Sequence, residues 1–210
     1  MVIESSAVLP DSIAGRLRAS ILNQTDAPGS TLTEAAVAVR FGVARPTARL
    51  AIDKLVADGL LRREAHRAAR VPEFTRDDIV DLYDNRALLE SAAIAALRSI
   101  PAAALEAHHA LTASEHFAEA DIAFHRALVA AQPSPRLTRL HTLLMGEIEL
   151  CIGQVQAASL LSAAEIARQH QAILDAITSG DADAAASLTR AHIHAARDAL
   201  LQHLDGKNHD

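Results

Sequence analysis

Apolar positions recur along most of this chain at intervals of three and four, the spacing of one helix face, and strand-like pieces are confined to a short stretch before residue 71. Between Thr33 and Gly59 the pattern predicts two helices in quick succession. Thr33 can cap the first with its hydroxyl, Glu34 follows in the first turn, and Gly42 stops it. The second starts near Ala44 and carries Pro46 in its first turn, where a missing N–H has no helical acceptor to lose. It ends at Gly59, the residue type that most easily takes a left-handed cap. Along it Ala48, Ala51, Ile52 and Leu55 gather on one side and leave Pro46, Arg49, Leu50, Asp53 and Lys54 on the other. Beyond Gly59, Leu60–Glu64 and Ala69–Val71 read as two short strands of a wing. Residues 1–71 therefore predict a winged helix-turn-helix, and residues 72–75 a linker with a helix-stopping proline.

From residue 76 to 210 the pattern is almost wholly helical, with Pro101, Pro133, Pro135 and Gly180 as punctuation. Helices are expected near 75–99, 101–113, 116–131, 135–157, 162–179 and 182–203, giving a mostly α protein whose second domain is an antiparallel helical bundle. Such bundles build ligand and metal sites from side chains that point inward from facing helices.

Charge sharpens the division. Through Phe74 the chain has ten lysines and arginines against eight acids, a net of +2, and the remainder carries −8. A modest positive excess focused on one face suits DNA, and an acidic second domain discourages indiscriminate coating of it. No run of apolar residues is long enough to cross a membrane, Met1–Pro10 lacks a basic leader, and the single cysteine, Cys151, fits a reducing cytoplasm as a small buried hydrophobe.

Arg49 faces away from the apolar stripe of the second helix, and Arg45 sits in the first turn, which reaches base edges in such motifs. An arginine there can fork onto guanine O6 and N7 in the major groove. Arg62, Arg63, Arg67 and Arg70 are placed on the wing to meet phosphates. The segment Pro28-Gly29 with Leu32, then Val43-Ala44-Arg45-Pro46-Thr47-Ala48-Arg49, then Leu55 through Leu61, resembles the GntR family of bacterial transcription regulators. That resemblance implies operator contacts by Arg40, Arg45, Thr47 and Arg49, with Arg67 and Arg70 bracing the backbone or minor groove. Ala44, Leu50 and Ala68 depart from the serine, glutamate and glycine usual in the family.

Ten of the eleven histidines follow Phe74. Asp121 and His125, four apart, share a helix face; His170 interrupts the stripe Ile166, Ile173, Ile177; and His192 falls among Leu188, Ala195 and Ala199. His194, rotated by about 200° from His192, should face solvent or a dimer partner. His108, His109, His116, His203 and His209 show no such placement. One carboxylate and three imidazoles on three helices suit a divalent ion of the Zn, Ni, Mn or Fe type with coordination positions left open.

This constellation, with the string Asp81-Leu82-Tyr83-Asp84-Asn85-Arg86 and Leu89-Glu90, resembles the FCD effector domain of the FadR-type GntR branch. The short segment between Arg98 and Ala120 is similar to the smaller VanR-like group. The resemblance implies that Asp121, His125, His170 and His192 bind a metal. Arg86 lies mid-stripe and needs an anion, either Glu90 one turn on or the carboxylate of a small organic acid. The expected protein is a homodimeric cytoplasmic repressor that binds double-stranded operator DNA and answers to a small carboxylate. A direct metal-ion sensor is the alternative, and a metal-dependent enzyme a more distant one.

Overall fold

The computed structural model describes residues 9–65, 67–111 and 117–207. The chain forms two compact units, Met1–Glu73 and Phe74–Asp210.

The first unit contains α1 (Leu9–Leu22), β1 (Thr31–Leu32), α2 (Glu34–Phe41), α3 (Arg45–Ala57) and β2 (Ala69–Arg70). Thr33 Oγ1 accepts from the Ala36 N–H and Gly42 closes α2 in the left-handed region at φ 65°. Ala44 precedes α3 without a side-chain cap, and Gly59, one residue beyond the cap Asp58, takes φ 81°. Ala48, Ala51, Ile52 and Leu55 of α3 are buried. They pack with Ile13, Leu17 and Ile21 of α1, a helix additional to the two expected, and with Val37 and Ala38 of α2.

The wing differs from its expected form. β2 pairs antiparallel not with a strand at Leu60–Glu64 but with β1, in the register Thr31↔Arg70 and Leu32↔Ala69. The expected first strand shrinks to a single bridge, Arg62↔Arg70. The cause is local: Leu60 and Leu61 are both buried, and both of their N–H groups donate to the Leu55 carbonyl at 3.0 and 3.2 Å. Consecutive inward residues that finish a helix cannot alternate across a sheet.

The second unit contains α4 (Arg76–Ala95), α5 (Ala102–Ala110), α6 (Phe117–Ala130), α7 (Pro135–Ala157), α8 (Ala163–Ser179) and α9 (Ala182–Lys207). Thr75 and Asp78 form a reciprocal capping box at α4, Ser162 caps α8, and Gly180 ends it at φ 76°. Two apolar clusters divide the bundle. One holds Ile79 and Tyr83 of α4, Ile122 of α6, Met145 to Val155 of α7, Ile166 of α8 and Leu200 of α9. The other holds Ile94, Ala104, Phe124, Leu128, Ile173, Ile177 and Ala185. Helices α4, α6 and α8 run from the first cluster towards the second, and α5 and α9 run back, which makes the bundle antiparallel. Arg86, Glu90, Asp121, His125, His170 and His192 fall in sequence where their helices pass between the clusters, so polar chemistry occupies a layer enclosed by apolar packing. Among the described residues no helix is long and apolar enough to cross a membrane.

Candidate metal centre and DNA-reading face

Asp121, His125, His170 and His192 come together with one potential ligand atom from each, all within 4.8 Å of one another and all buried. His125 and His170 are wholly enclosed and Asp121 and His192 are 4% exposed. Asp121 Oδ1 lies 3.2 Å from His170 Nε2, 3.6 Å from His192 Nε2 and 3.7 Å from His125 Nε2. The His192 Nε2 atom is 3.0 Å from that of His125 and 3.4 Å from that of His170. Ligands bound tetrahedrally at roughly 2.0–2.1 Å would stand about 3.3 Å apart. The observed separations scatter around that value.

The protonation pattern agrees with ligation. Glu90 Oε2 can only accept when ionised, so His125 Nδ1–H donates to it at 2.5 Å; Gln169 Oε1 likewise takes His192 Nδ1–H at 2.7 Å. Both imidazoles therefore present bare Nε2 lone pairs to each other, a contact that only a shared cation or proton makes favourable. A second ring nitrogen held by a carboxylate or amide is the usual support of a metal-binding histidine. His170 lacks that support: its buried Nδ1 has no hydrogen-bond partner, and Phe124 stacks on the ring at 3.8 Å between centroids.

Burial pushes the His170 imidazole down to about 3, and burial lowers His125 as well, despite the nearby Glu90. Burial would raise the Asp121 carboxyl, but the imidazoles of His170, His192 and His125 around it hold it well below the usual carboxylate range. Neutral imidazoles beside an ionised carboxylate are the protonation states that ligate metal. The four residues fit a divalent ion, with imidazole and carboxylate ligands of the kind that Zn, Ni, Mn or Fe accept.

Arg86 and Glu90 of α4 extend the site. Arg86 is 1% exposed, and its Nε–H donates to Glu90 Oε1 at 2.9 Å, while its Nη2 is buried without a partner. Both alternatives for Arg86 thus have a physical counterpart, one face of the guanidinium paired and one donor unsatisfied. Glu90 is a hub: it also accepts from His141 Nε2 of α7 at 2.9 Å. Burial would raise its carboxyl, yet Arg86 and then His125 hold it well below the ordinary range.

His141, 2% exposed, was not among the expected inward histidines, although the spacing His141, Met145, Ile148, Ile152, Val155 marks it as part of an apolar stripe. Two further placements differ. His192 lies on the buried face of Ala185, Thr189, Ile193 and Ala196, whereas Leu188 of its expected stripe is 36% exposed. An arc one residue off suffices to retain His192 at the edge of both faces. His194 keeps the outward side expected of it, 37% exposed, with Asp84 of α4 at 3.4 Å. His108 has a buried Nδ1 and a ring 6.3 Å from that of His170, so it borders the site that its spacing did not suggest. His116 and His209 lie outside the described residues.

On the first unit, Arg45, Arg49, Arg67 and Arg70 are exposed and Thr47 is half-buried. Arg49 has only loose carboxylate neighbours, Asp53 at 3.6 Å and Glu34 at 3.8 Å, and its side chain is 64% exposed. Arg67 pairs with Glu64 at 3.0 Å on an open surface. Arg40 is held differently: it donates to Asp26 Oδ2 and Ser20 Oγ, both at 2.7 Å, which ties it to the preceding loop and α1. A loose exposed pair exchanges readily for a phosphate, whereas a bidentate internal clamp opposes release.

Comparison with known proteins bears on both units. Residues 9–71 match the family described as bacterial regulatory proteins, gntR family, and residues 81–195 match the FCD domain. A relative from Paenarthrobacter nicotinovorans, named as the probable transcriptional repressor of a D-xylose utilization operon, is 28% identical over 177 residues, spanning 80% of this chain and 77% of its own. The HTH-type transcriptional regulator BphR of Paraburkholderia xenovorans is 27% identical over 206 residues, 89% of this chain and 83% of that one. A crystal structure from Rhodococcus sp. RHA1, assigned to the GntR regulators, superposes with a TM-score of 0.75 at 26% identity, covering 92% of this chain and 97% of the other.

Proposed function

This chain belongs to the gntR family of bacterial regulatory proteins and carries an FCD domain, so it is a DNA-binding transcriptional regulator and not an enzyme, and from that premise we propose that it is a metal-dependent repressor switched by a small carboxylate. The observation that carries the proposal is the buried cage of Asp121, His125, His170 and His192 with the unpartnered Nη2 of Arg86 close by in the same polar layer. An ion there supplies a Lewis-acidic point with positions open to a ligand oxygen. Arg86 contributes the opposing charge for the acid, Glu90 holds Arg86 and His125 in place, and the enclosing apolar clusters exclude water.

The working protein is a cytoplasmic homodimer with one α3 per operator half-site, since two-fold protein symmetry matches a palindromic site. Arg45, Thr47 and Arg49 read the major groove, and Arg67 and Arg70 hold phosphates. Arg40, clamped to Asp26 and Ser20, contributes by shaping the reading face as well as by reaching DNA. Repression follows the name of the Paenarthrobacter relative. Effector and operator are linked: an acid that prefers the bundle in a form poorly suited to the operator weakens DNA binding by the same factor that DNA weakens the acid. A resident ion is favoured over a sensed one because four enclosed ligands, two of them imidazoles held by supporting hydrogen bonds, exchange their cation slowly.

Metal content of protein purified without chelators, read by elemental mass spectrometry beside His170→Ala, tests the site. The expected result is near one ion per chain, lost in the variant. A chain that takes up no Zn, Ni or Mn even on refilling would reduce the cage to buried polar packing and overturn the metal-dependent switch.

A further inference from the structure

The outward face of α3 carries two kinds of side chain in neighbouring rows. Arg45 and Arg49 form one row, Pro46 and Leu50 the other, and all four are exposed. Residues four apart on a helix stand about 5–6 Å from each other, so each row is continuous. Leu50 is 59% exposed. The fold does not call for it: Ala48, Ala51, Ile52 and Leu55 fill the core side of α3, and leucine has no advantage in helix propensity over arginine, lysine or glutamate. Single exposed leucines are common on protein surfaces. This one differs in standing beside the arginines of the reading helix. Asp53, next along the same face, is neutralised by Arg63 Nη1, with Arg49 at 3.6 Å, so the charge that would repel DNA from the apolar row is already met.

In the major groove the bases present donors and acceptors, and the one hydrocarbon group among them is the 5-methyl of thymine. A leucine laid against that methyl removes two apolar surfaces from water at once. Cytosine in the same place offers no methyl and leaves its N4 amino group facing hydrocarbon without an acceptor. We propose that Leu50, backed by Pro46, reads the 5-methyl of an operator thymine beside the guanine taken by the arginine row, which makes Leu50 a specificity-determining residue. The proposal rests on the reading of α3 as the helix that enters the major groove, and specifies what its apolar row must meet there.

Binding sites are selected for the full-length protein from a pool of duplexes randomised across both half-sites, with Arg49→Ala selected in parallel. Each thymine of the enriched site is then replaced in turn by 2′-deoxyuridine, which lacks only the 5-methyl. The resulting duplexes are titrated by gel shift at fixed salt against the parent, Leu50→Ala and Leu50→Met. At one thymine the parent should lose about fourfold in affinity per half-site. Leu50→Ala should bind the thymine and uracil forms alike, and Leu50→Met, which keeps a long apolar chain, should retain the difference. A parent indifferent to uracil at every thymine, or a loss that persists undiminished in Leu50→Ala, would overturn the methyl contact while Arg49 still selects its guanine. A pool that yields no preferred sequence, or the same sequence with Arg49→Ala, would instead remove the reading of the arginine row and the thymine contact with it.

Discussion

The two units of this chain place their polar chemistry on opposite sides of their surfaces. The first encloses Leu17, Ile52, Leu55, Leu60 and Leu61, and Ser20 is its one fully buried polar residue among those described; its arginines stand outside. The second encloses Arg86, Glu90, Asp121, His125, His141, His170 and His192 between two apolar clusters. Burying such a layer is costly unless every charge finds a partner, and removing one partner costs more than the pair contributed. A module that reads DNA needs its charges in solvent, where phosphates can reach them. One that recognises a small acid, as proposed for the bundle, needs them dry, where a single charge–charge contact outweighs competition from water. The difference implies that the units respond to perturbation in opposite ways, the bundle through its interior and the winged unit through its face.

Glu90→Gln should expose the contrast most sharply. It strips the counter-charge from Arg86 and a strong acceptor from His125 and His141, and breaking a buried pair of this kind costs about 3–5 kcal/mol. Urea unfolding followed by probes in each unit should show the loss in the bundle alone; a variant as stable as the parent would mean that the polar layer contributes little.

Acid separates the units next. His170 is lowered to about 3 and His125 is lowered by burial, so the unfolded chain binds protons that the folded bundle refuses once the pH falls below about 6.5. Stability in chelator-treated protein is therefore full above that pH and declines below it, by about 1.4 kcal/mol per unit for His170 down to its folded value. The depressed carboxyls of Glu90 and Asp121 add a further loss below about pH 4. Thermal unfolding between pH 7.5 and 4.5 checks the sign, and a bundle that strengthens on acidification would refute it.

On the winged unit, Arg49→Ala should weaken operator binding by about 1–3 kcal/mol, the worth of one base contact, while leaving folding untouched. Gel-shift titration at fixed salt decides the matter, and an unchanged footprint would remove Arg49 from the reading face.

The smallest effect is expected at Gly29, where φ is 80° and an added Cβ would meet the Glu73 carboxylate at 2.9 Å. Gly29→Ala should cost about 1 kcal/mol in the first unit, from the left-handed backbone, with Glu73 free to swing aside. Thermal melting of that unit reads it.

Much of this architecture was legible in the residues themselves. Thr33 and Gly42, Pro46 and Gly59, Ser162 and Gly180 bracket helices through local rules, because a cap depends on atoms two to four positions away. The apolar stripes that put His170 inside and Arg49 outside are equally local, as is the one-turn pairing of Asp121 with His125. His141 had a stripe as clear as that of His170.

What no period contains is the partner. Glu90 joins His125 thirty-five residues on and His141 fifty-one residues on, and it can do so only because α6 and α7 lie against α4 at that height. The same limit applies to the wing, where β2 takes Thr31–Leu32 as its strand partner and keeps only the Arg62 bridge to the nearer Leu60–Glu64, once Leu60 and Leu61 have been drawn into the core. Sequence by itself determined which residues face inward on each helix, since 3.6 residues per turn is a property of the backbone. Tertiary structure alone decided which inward atoms meet, and therefore that one face of Arg86 is satisfied by Glu90 while its Nη2 is left in want of an acceptor.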